Sequence, residues 1–163
     1  SIDWEKLSDY VSRKLWTPMH AEESALWSLD RKDGMEKAYC CFNSNARDFA
    51  RFGQLLLNNG QWDDRQLISP AYLAEATSPD TRLVYKDLGK PNHCYGFQYW
   101  ILDYKGMKIP YMRGILGQYV FTLPEKNAVI VRLGHKRSDT YTADQHYPDD
   151  INTWLDAAMD LLQ

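Results

Sequence analysis

The sequence predicts an α+β fold: helices come first, an antiparallel sheet of about four strands follows, and a C-terminal helix packs on that sheet. Three observations carry this. In much of the first half, apolar residues recur at the helical spacing of three and four. From about residue 95 the runs become aromatic and β-branched, separated by hairpin-length connections that join antiparallel neighbours. The final dozen residues return to the helical period, and an amphipathic helix there needs a sheet face to cover.

The elements follow in order. Trp4, Leu7, Val11 and Leu15, with Tyr10 alongside, predict a helix over Trp4–Trp16, with Asp3 as N-cap and Pro18 stopping it. Met19 to Phe42 has weak periodicity and ends in a short β-leaning run, Ala38 to Phe42. Asn43-Ser44-Asn45 offers caps for a second helix, Ala46–Leu57, with Phe49, Phe52, Leu55 and Leu56 on one stripe and Asn58-Asn59-Gly60 ending it. Residues 60–64 read as a turn. Ser69 as N-cap and Pro70 at the first helical position open a short helix through Ala76, broken by Thr77-Ser78-Pro79-Asp80.

Tyr95–Tyr104 reads as the first long strand, and Asp103-Tyr104-Lys105-Gly106 as a hairpin turn. Met107–Met112, Gly117–Leu123 and Ala128–Leu133 supply three more, the last two joined through Pro124-Glu125-Lys126-Asn127. Asp149-Asp150 is expected to cap a final helix over Ile151–Leu162, with Ile151, Trp154, Leu155, Ala158 and Leu161 or Leu162 on its stripe.

Composition narrows the class. A chain of 163 residues suits one domain and buries about 68–70% of its unfolded surface. With 44% hydrophobic and 25% charged residues it is not a disordered composition. The net charge of −3 argues against nucleic-acid binding through a basic face. Apolar runs such as Leu55–Leu57 and Ala128–Val131 are far short of the ~20 residues that span a bilayer. No secretory signal or initiator Met opens the chain, so Ser1 is not expected to be the native start. The three cysteines, Cys40, Cys41 and Cys94, are an odd set. Cys40 and Cys41 would face opposite ways in an extended stretch and so would not share a metal; all three are read as small buried hydrophobes.

Motifs for chemistry are mostly missing. No serine is followed three residues later by lysine, and there is no Gly-x-Ser-x-Gly or Gly-rich phosphate loop with lysine. His20, His93, His135 and His146 show no metal spacing, and no metal or cofactor is expected. One segment is unusual: Arg113-Gly114-Ile115-Leu116-Gly117-Gln118 sets two glycines between strand-like runs. It reads either as a plain hairpin or bulge, or as a strand edge kept open for a substrate to pair with the backbone.

The stretch Asn43-Ser44-Asn45-Ala46-Arg47-Asp48-Phe49-Ala50-Arg51-Phe52-Gly53, continuing to Gln61-Trp62 and Leu67-Ile68-Ser69-Pro70, resembles the serine β-lactamase-related family. That family includes class C β-lactamases, penicillin-binding carboxypeptidases, and esterases and amidases of the 6-aminohexanoate-dimer hydrolase type. Tyr95-Gly96-Phe97-Gln98-Tyr99-Trp100 is similar to its Tyr-Gly-x-x-Trp strand. Gly114 to Tyr119 followed by Leu123 to Val131 is similar to its Gly-x-Gly-Gly-Gln strand and Pro-Glu-x-(Asp/Asn)-x-Val run. Asp3 to Met19 resembles the helix before an x-Pro-(Leu/Met) step. The similarity runs through nearly the whole chain in order.

The resemblance implies a β-lactamase-like fold, of which residues 1–163 are the C-terminal portion. The family's Ser-x-x-Lys and Tyr-x-Asn motifs would precede Ser1, so the parent is expected to be a serine hydrolase of small amides or esters, and this chain to be inactive alone. Met112-Arg113-Gly114 matches the family's (Lys/His)-x-Gly element. Met112 departs from it, which favours an esterase or amidase over a β-lactamase. The residue after that glycine, Ile115, is implied as a backbone oxyanion donor, a group that contributes about 3–4 kcal/mol to a transition state. Arg113, with a fork suited to carboxylates, and Gly114, Gly117 and Gln118 are the implied substrate-binding positions. The implied partner is the N-terminal part of the same domain; without it, exposed apolar surface is expected to drive self-association. The family suggests a bacterial envelope or periplasmic location. The alternative is a non-catalytic binding or sensing module that kept the fold.

Overall fold

A computed structural model describes residues 5–85, 89–142 and 146–162. Helix α1 (Leu7–Val11) runs on into a wider π-helical turn, Ser12–Trp16, where the Thr17 N–H reaches back to the Ser12 carbonyl at 2.9 Å. The first helix is therefore α-helical for only five residues, and the expected roles of Asp3 and Trp4 lie outside the described residues. With this turn, Trp16 meets Phe42 at 5.2 Å and Phe52 at 5.9 Å. Strands β1 (Leu26–Trp27) and β2 (Phe42–Asn43) pair antiparallel across the weakly periodic region.

Helix α2 (Ala46–Leu57) has the bounds its caps predict: the Asn45 side chain accepts from the Asp48 N–H at 2.9 Å. Asn59 and Gly60, both at positive φ, unwind its end. The turn after it is a small hairpin, β3 (Gln61–Trp62) with β4 (Arg65–Gln66). Helix α3 (Pro70–Ala76) starts at Ser69, whose hydroxyl accepts from Tyr72 N–H. Strands β5 (Val84–Tyr85) and β6 (Lys90–Pro91) form a second short pair.

The main sheet has the order β10-β9-β8-β7, antiparallel throughout. Its strands are β7 (Trp100–Tyr104), β8 (Met107–Gly114), β9 (Gln118–Leu123) and β10 (Ala128–Arg132). The first strand is shorter than predicted. Gly96 closes a turn on Tyr99 at 2.8 Å, and the Phe97 N–H donates to the Ala76 carbonyl at 2.9 Å, so residues 96–99 dock on the end of α3. A Cβ at Gly96 would lie 2.1 Å from that carbonyl.

The core sits on one sheet face, where Leu102, Ile109, Tyr111, Phe121 and Leu123 meet Ile151 and Leu155 of helix α4 (Asp150–Leu161). Asp149 does not cap α4; its carboxylate instead accepts the Thr140 hydroxyl. Leu161 projects into solvent, and Met159 takes the core position. Helix α2 covers the opposite face at β9 and β10. It lies close because residue 53 is glycine: a Cβ there would sit 2.4 Å from Val129 Cγ1. The sheet is thus held between two helices, with the β8–β9 turn at its rim.

The cysteines do not behave as three buried hydrophobes. Cys94 is buried, but Cys40 and Cys41 form a disulfide, with Cys41 exposed. The segment is not extended there: Cys41 has φ +70°, which brings the two neighbouring sulfurs together.

Candidate functional site

The predicted site residues gather where β8 turns into β9. Gly114 pairs with Gln118, and Ile115, Leu116 and Gly117 make the connection, the last two at φ +61° and +84°. Ile115 is 79% exposed, and its N–H has no hydrogen-bond partner among the described residues. Gly114 is exposed beside it. A backbone donor with no partner among the described residues therefore stands on an exposed residue at the sheet rim.

Met112 and Arg113 leave β8 on opposite faces, as consecutive strand residues must. Met112 shares a register position with Val120, on the α2 side. Arg113 lies on the α4 side, stacked over the Trp100 ring with its guanidinium carbon 3.4 Å from the centroid. Its Nη1 donates to the His146 carbonyl at 2.9 Å, and Tyr141 lies 6.0 Å away on another side. Tyr95 packs on Trp100 at 4.7 Å, and the His146 ring stacks against it at 6.4 Å. Arg137 donates to the Tyr141 hydroxyl at 2.5 Å. Arg113 thus sits in an aromatic and cationic cluster beside the turn.

Gly117 and Gln118 have internal duties. Arg132 donates to the Gly117 carbonyl at 2.5 Å and the Lys136 carbonyl at 2.8 Å, and its guanidinium fills the space beside Gly117. A Cβ at Gly117 would meet Arg132 Nη1 at 1.9 Å. The Gln118 amide bridges to the loop after β10, donating to the Gly134 carbonyl and accepting from the Gly134 N–H at 3.0 Å. Both residues tie the turn to the end of β10. Arg132 is further held between Tyr119 at 5.6 Å and Trp154 at 4.6 Å.

Tyr119 stands between Arg113 and Arg132 in register. Its hydroxyl is buried without a hydrogen-bond partner among the described residues, and burial pushes its pKa up to about 12, with nearby Asp150 adding and the arginines opposing. Arg132, Arg137 and Tyr141 carry no signal in sequence, and Trp100 and His146 stand out there only as part of the Tyr-Gly-x-x-Trp likeness and as one of four scattered histidines. They come from separate segments, and only the fold brings them to one rim.

Elsewhere the histidines make ordinary contacts. His20 pairs with Asp63 at 3.0 Å in solvent, and His93 faces the Pro91 carbonyl at 3.4 Å. Among the described residues there is no group of three or more His, Cys, Asp or Glu placed to hold a metal, and no helix long and apolar enough to cross a membrane.

No family model matches the sequence, and no curated protein matches it. Among solved structures, the chain is similar to a protein from Bacillus anthracis provisionally assigned as a 6-aminohexanoate-dimer hydrolase. The TM-score is 0.75 and the identity 26%, over 97% of this chain and 38% of that one. The chain therefore spans well under half the length of this relative. The likeness is to a hydrolase of the β-lactamase-like fold, and it supports a general hydrolase reading.

Proposed function

We propose that this chain is the C-terminal portion of a serine hydrolase domain and supplies one wall of its cleft. The reaction is acyl transfer from a small amide or ester through an acyl-enzyme. The observation that carries this reading is the Ile115 N–H, without a hydrogen-bond partner among the described residues, on an exposed residue of the β8–β9 turn in a chain whose fold is similar to a hydrolase. Such a donor holds the negative charge that develops on the carbonyl oxygen and needs only fixed backbone geometry. Gln118 and Arg132 provide that fixity by locking the turn to β10. Gly114 leaves the approach open. The nucleophilic serine and its base come from the remainder of the domain.

A second reading, a binding module without turnover, draws on Met112 and Arg113. Met112 offers no charge, and the Arg113 guanidinium is stacked on Trp100 and bonded to backbone. Labelling the full-length protein with a fluorophosphonate and a fluorescent penicillin separates the two. The hydrolase reading expects a covalent adduct with the fluorophosphonate on a serine outside residues 1–163. A folded protein that neither probe labels supports the binding module instead.

A further inference from the structure

The disulfide between Cys40 and Cys41 joins residues adjacent in sequence. It lies in the connection between β1 and β2, with Cys41 exposed and Cys40 half-buried. A cross-link between neighbours closes the smallest loop the chain can form. It removes little freedom from the unfolded state, so it is a weak staple. What it does restrain is local: the peptide unit between the two cysteines, with Cys41 at φ +70°, a region non-glycine residues seldom occupy.

That segment is wired to its surroundings by backbone groups. The Trp27 indole N–H donates to the carbonyls of Cys40 and Lys37, both at 3.0 Å. The Cys41 carbonyl accepts from the Ser28 N–H at 3.1 Å and from the Asn43 amide at 3.0 Å. The next residue, Phe42, is the hub of an aromatic cluster, with Trp16 and Trp27 each 5.2 Å away and Phe49 at 6.2 Å. Phe42, Trp16 and Trp27 also line a cavity of about 580 Å³, with Ser8, Leu29 and Glu36. A change in the Cys40–Cys41 peptide unit thus reaches Phe42 through the next peptide bond and Trp27 through the hydrogen bond to the Cys40 carbonyl.

We propose that Cys40–Cys41 is a reversible thiol–disulfide site that sets the conformation of residues 37–43 beside the Phe42 cavity. Its reductant is a dithiol. A thiolate of the reductant attacks Sγ of Cys41, the S–S bond breaks, and Cys40 leaves as a thiolate that takes a proton. The second thiol of the reductant then attacks the mixed disulfide and releases Cys41. Two electrons and two protons pass to the protein pair, and the reductant becomes a disulfide. A small disulfide such as oxidised glutathione reverses the exchange and leaves as two thiols. With the ring open, Cys41 is free to leave positive φ, and the Cys40 carbonyl moves from the Trp27 indole.

Alkylation with iodoacetamide in denaturant, read by intact mass, tests the covalent half. Oxidised protein is expected to carry one adduct, on Cys94. Protein treated with dithiothreitol carries three, and re-oxidised protein one again. Tryptophan emission of the folded chain tests the conformational half. It shifts on reduction and returns on re-oxidation, Trp27→Phe loses most of the shift, and the Cys40→Ala/Cys41→Ala double variant shows none. Three adducts on protein equilibrated with oxidised glutathione, or identical emission in both states of the wild-type chain, overturns the proposal. Both of those readings use the wild-type chain, so they hold even if a variant fails to fold.

Discussion

Asp48 is fully buried, and its two carboxylate oxygens accept four hydrogen bonds: from the Glu22 and Glu23 N–H groups at 2.8 and 3.1 Å, the Asn45 amide at 2.7 Å and Arg51 Nη1 at 3.0 Å. Burial acts to raise its pKa, but the backbone donors, Asn45 and Arg51 together outweigh it and hold the carboxyl below the usual range. A folded value below the unfolded one, about 3.9, makes this contribution complete above that pH and lost as pH falls through the lower folded value. The urea midpoint should therefore drop on acidification below about pH 4. Asp48→Asn should flatten that part of the profile and cost about 3 kcal/mol at neutral pH, measured by urea unfolding. In sequence, Asp48 is visible only as part of the stretch that resembles a family. Its partners Glu22 and Glu23 lie in a region of weak periodicity, so the anchoring of α2 to residues 22–23 emerges only in the fold. The same holds for Arg113: its donor fork is evident from its type, but its partners Trp100 and His146 are 13 and 33 residues away.

Elements whose ends are chemically marked were legible. Asn45 and Ser69 cap α2 and α3 as their types predict, and Lys105 and Gly106 at positive φ close the β7–β8 hairpin. Elements whose ends are set by tertiary contact were not. Residues 96–99 share the composition of a strand yet fold as a turn, because Gly96 and Phe97 dock on the last carbonyls of α3. Asp149 has the type of a cap but is taken by Thr140. The close fit of α2 on β9 and β10 predicts the cost of a single methyl group. Gly53→Ala would press on both Val129 methyls and should lower stability by about 1–3 kcal/mol in urea unfolding, with helical content by circular dichroism unchanged. Gly117→Ala meets two obstacles, a backbone at φ +84° and the Arg132 guanidinium. It should destabilise the β8–β9 turn by a similar or larger amount and speed amide exchange of Gln118 and Gly134.

At the scale of the molecule, the sheet and its two covering helices present the β8–β9 turn at a rim, with an aromatic and cationic cluster on one side and an open backbone on the other. Period and turn chemistry foretold the four antiparallel strands and the final helix. The site was half legible: the Arg113–Gln118 segment stands out for its glycines, but its internal duties to Arg132 and Gly134 do not. With no Ser-x-x-Lys among its residues, the 163-residue chain alone should hydrolyse nitrocefin and p-nitrophenyl esters no faster than buffer in a spectrophotometric assay. The most direct test of the proposed cleft wall removes one hydrogen. In the full-length protein, Ile115→Pro deletes the proposed oxyanion donor without touching a side chain the mechanism uses. The expected result is a fall in kcat for p-nitrophenyl ester or amide hydrolysis of about a hundred- to a thousand-fold, with the protein still folded and still labelled, more slowly, by a fluorophosphonate. Unchanged turnover in the folded variant, or no hydrolysis of any ester or amide by the unaltered full-length protein, would contradict the account.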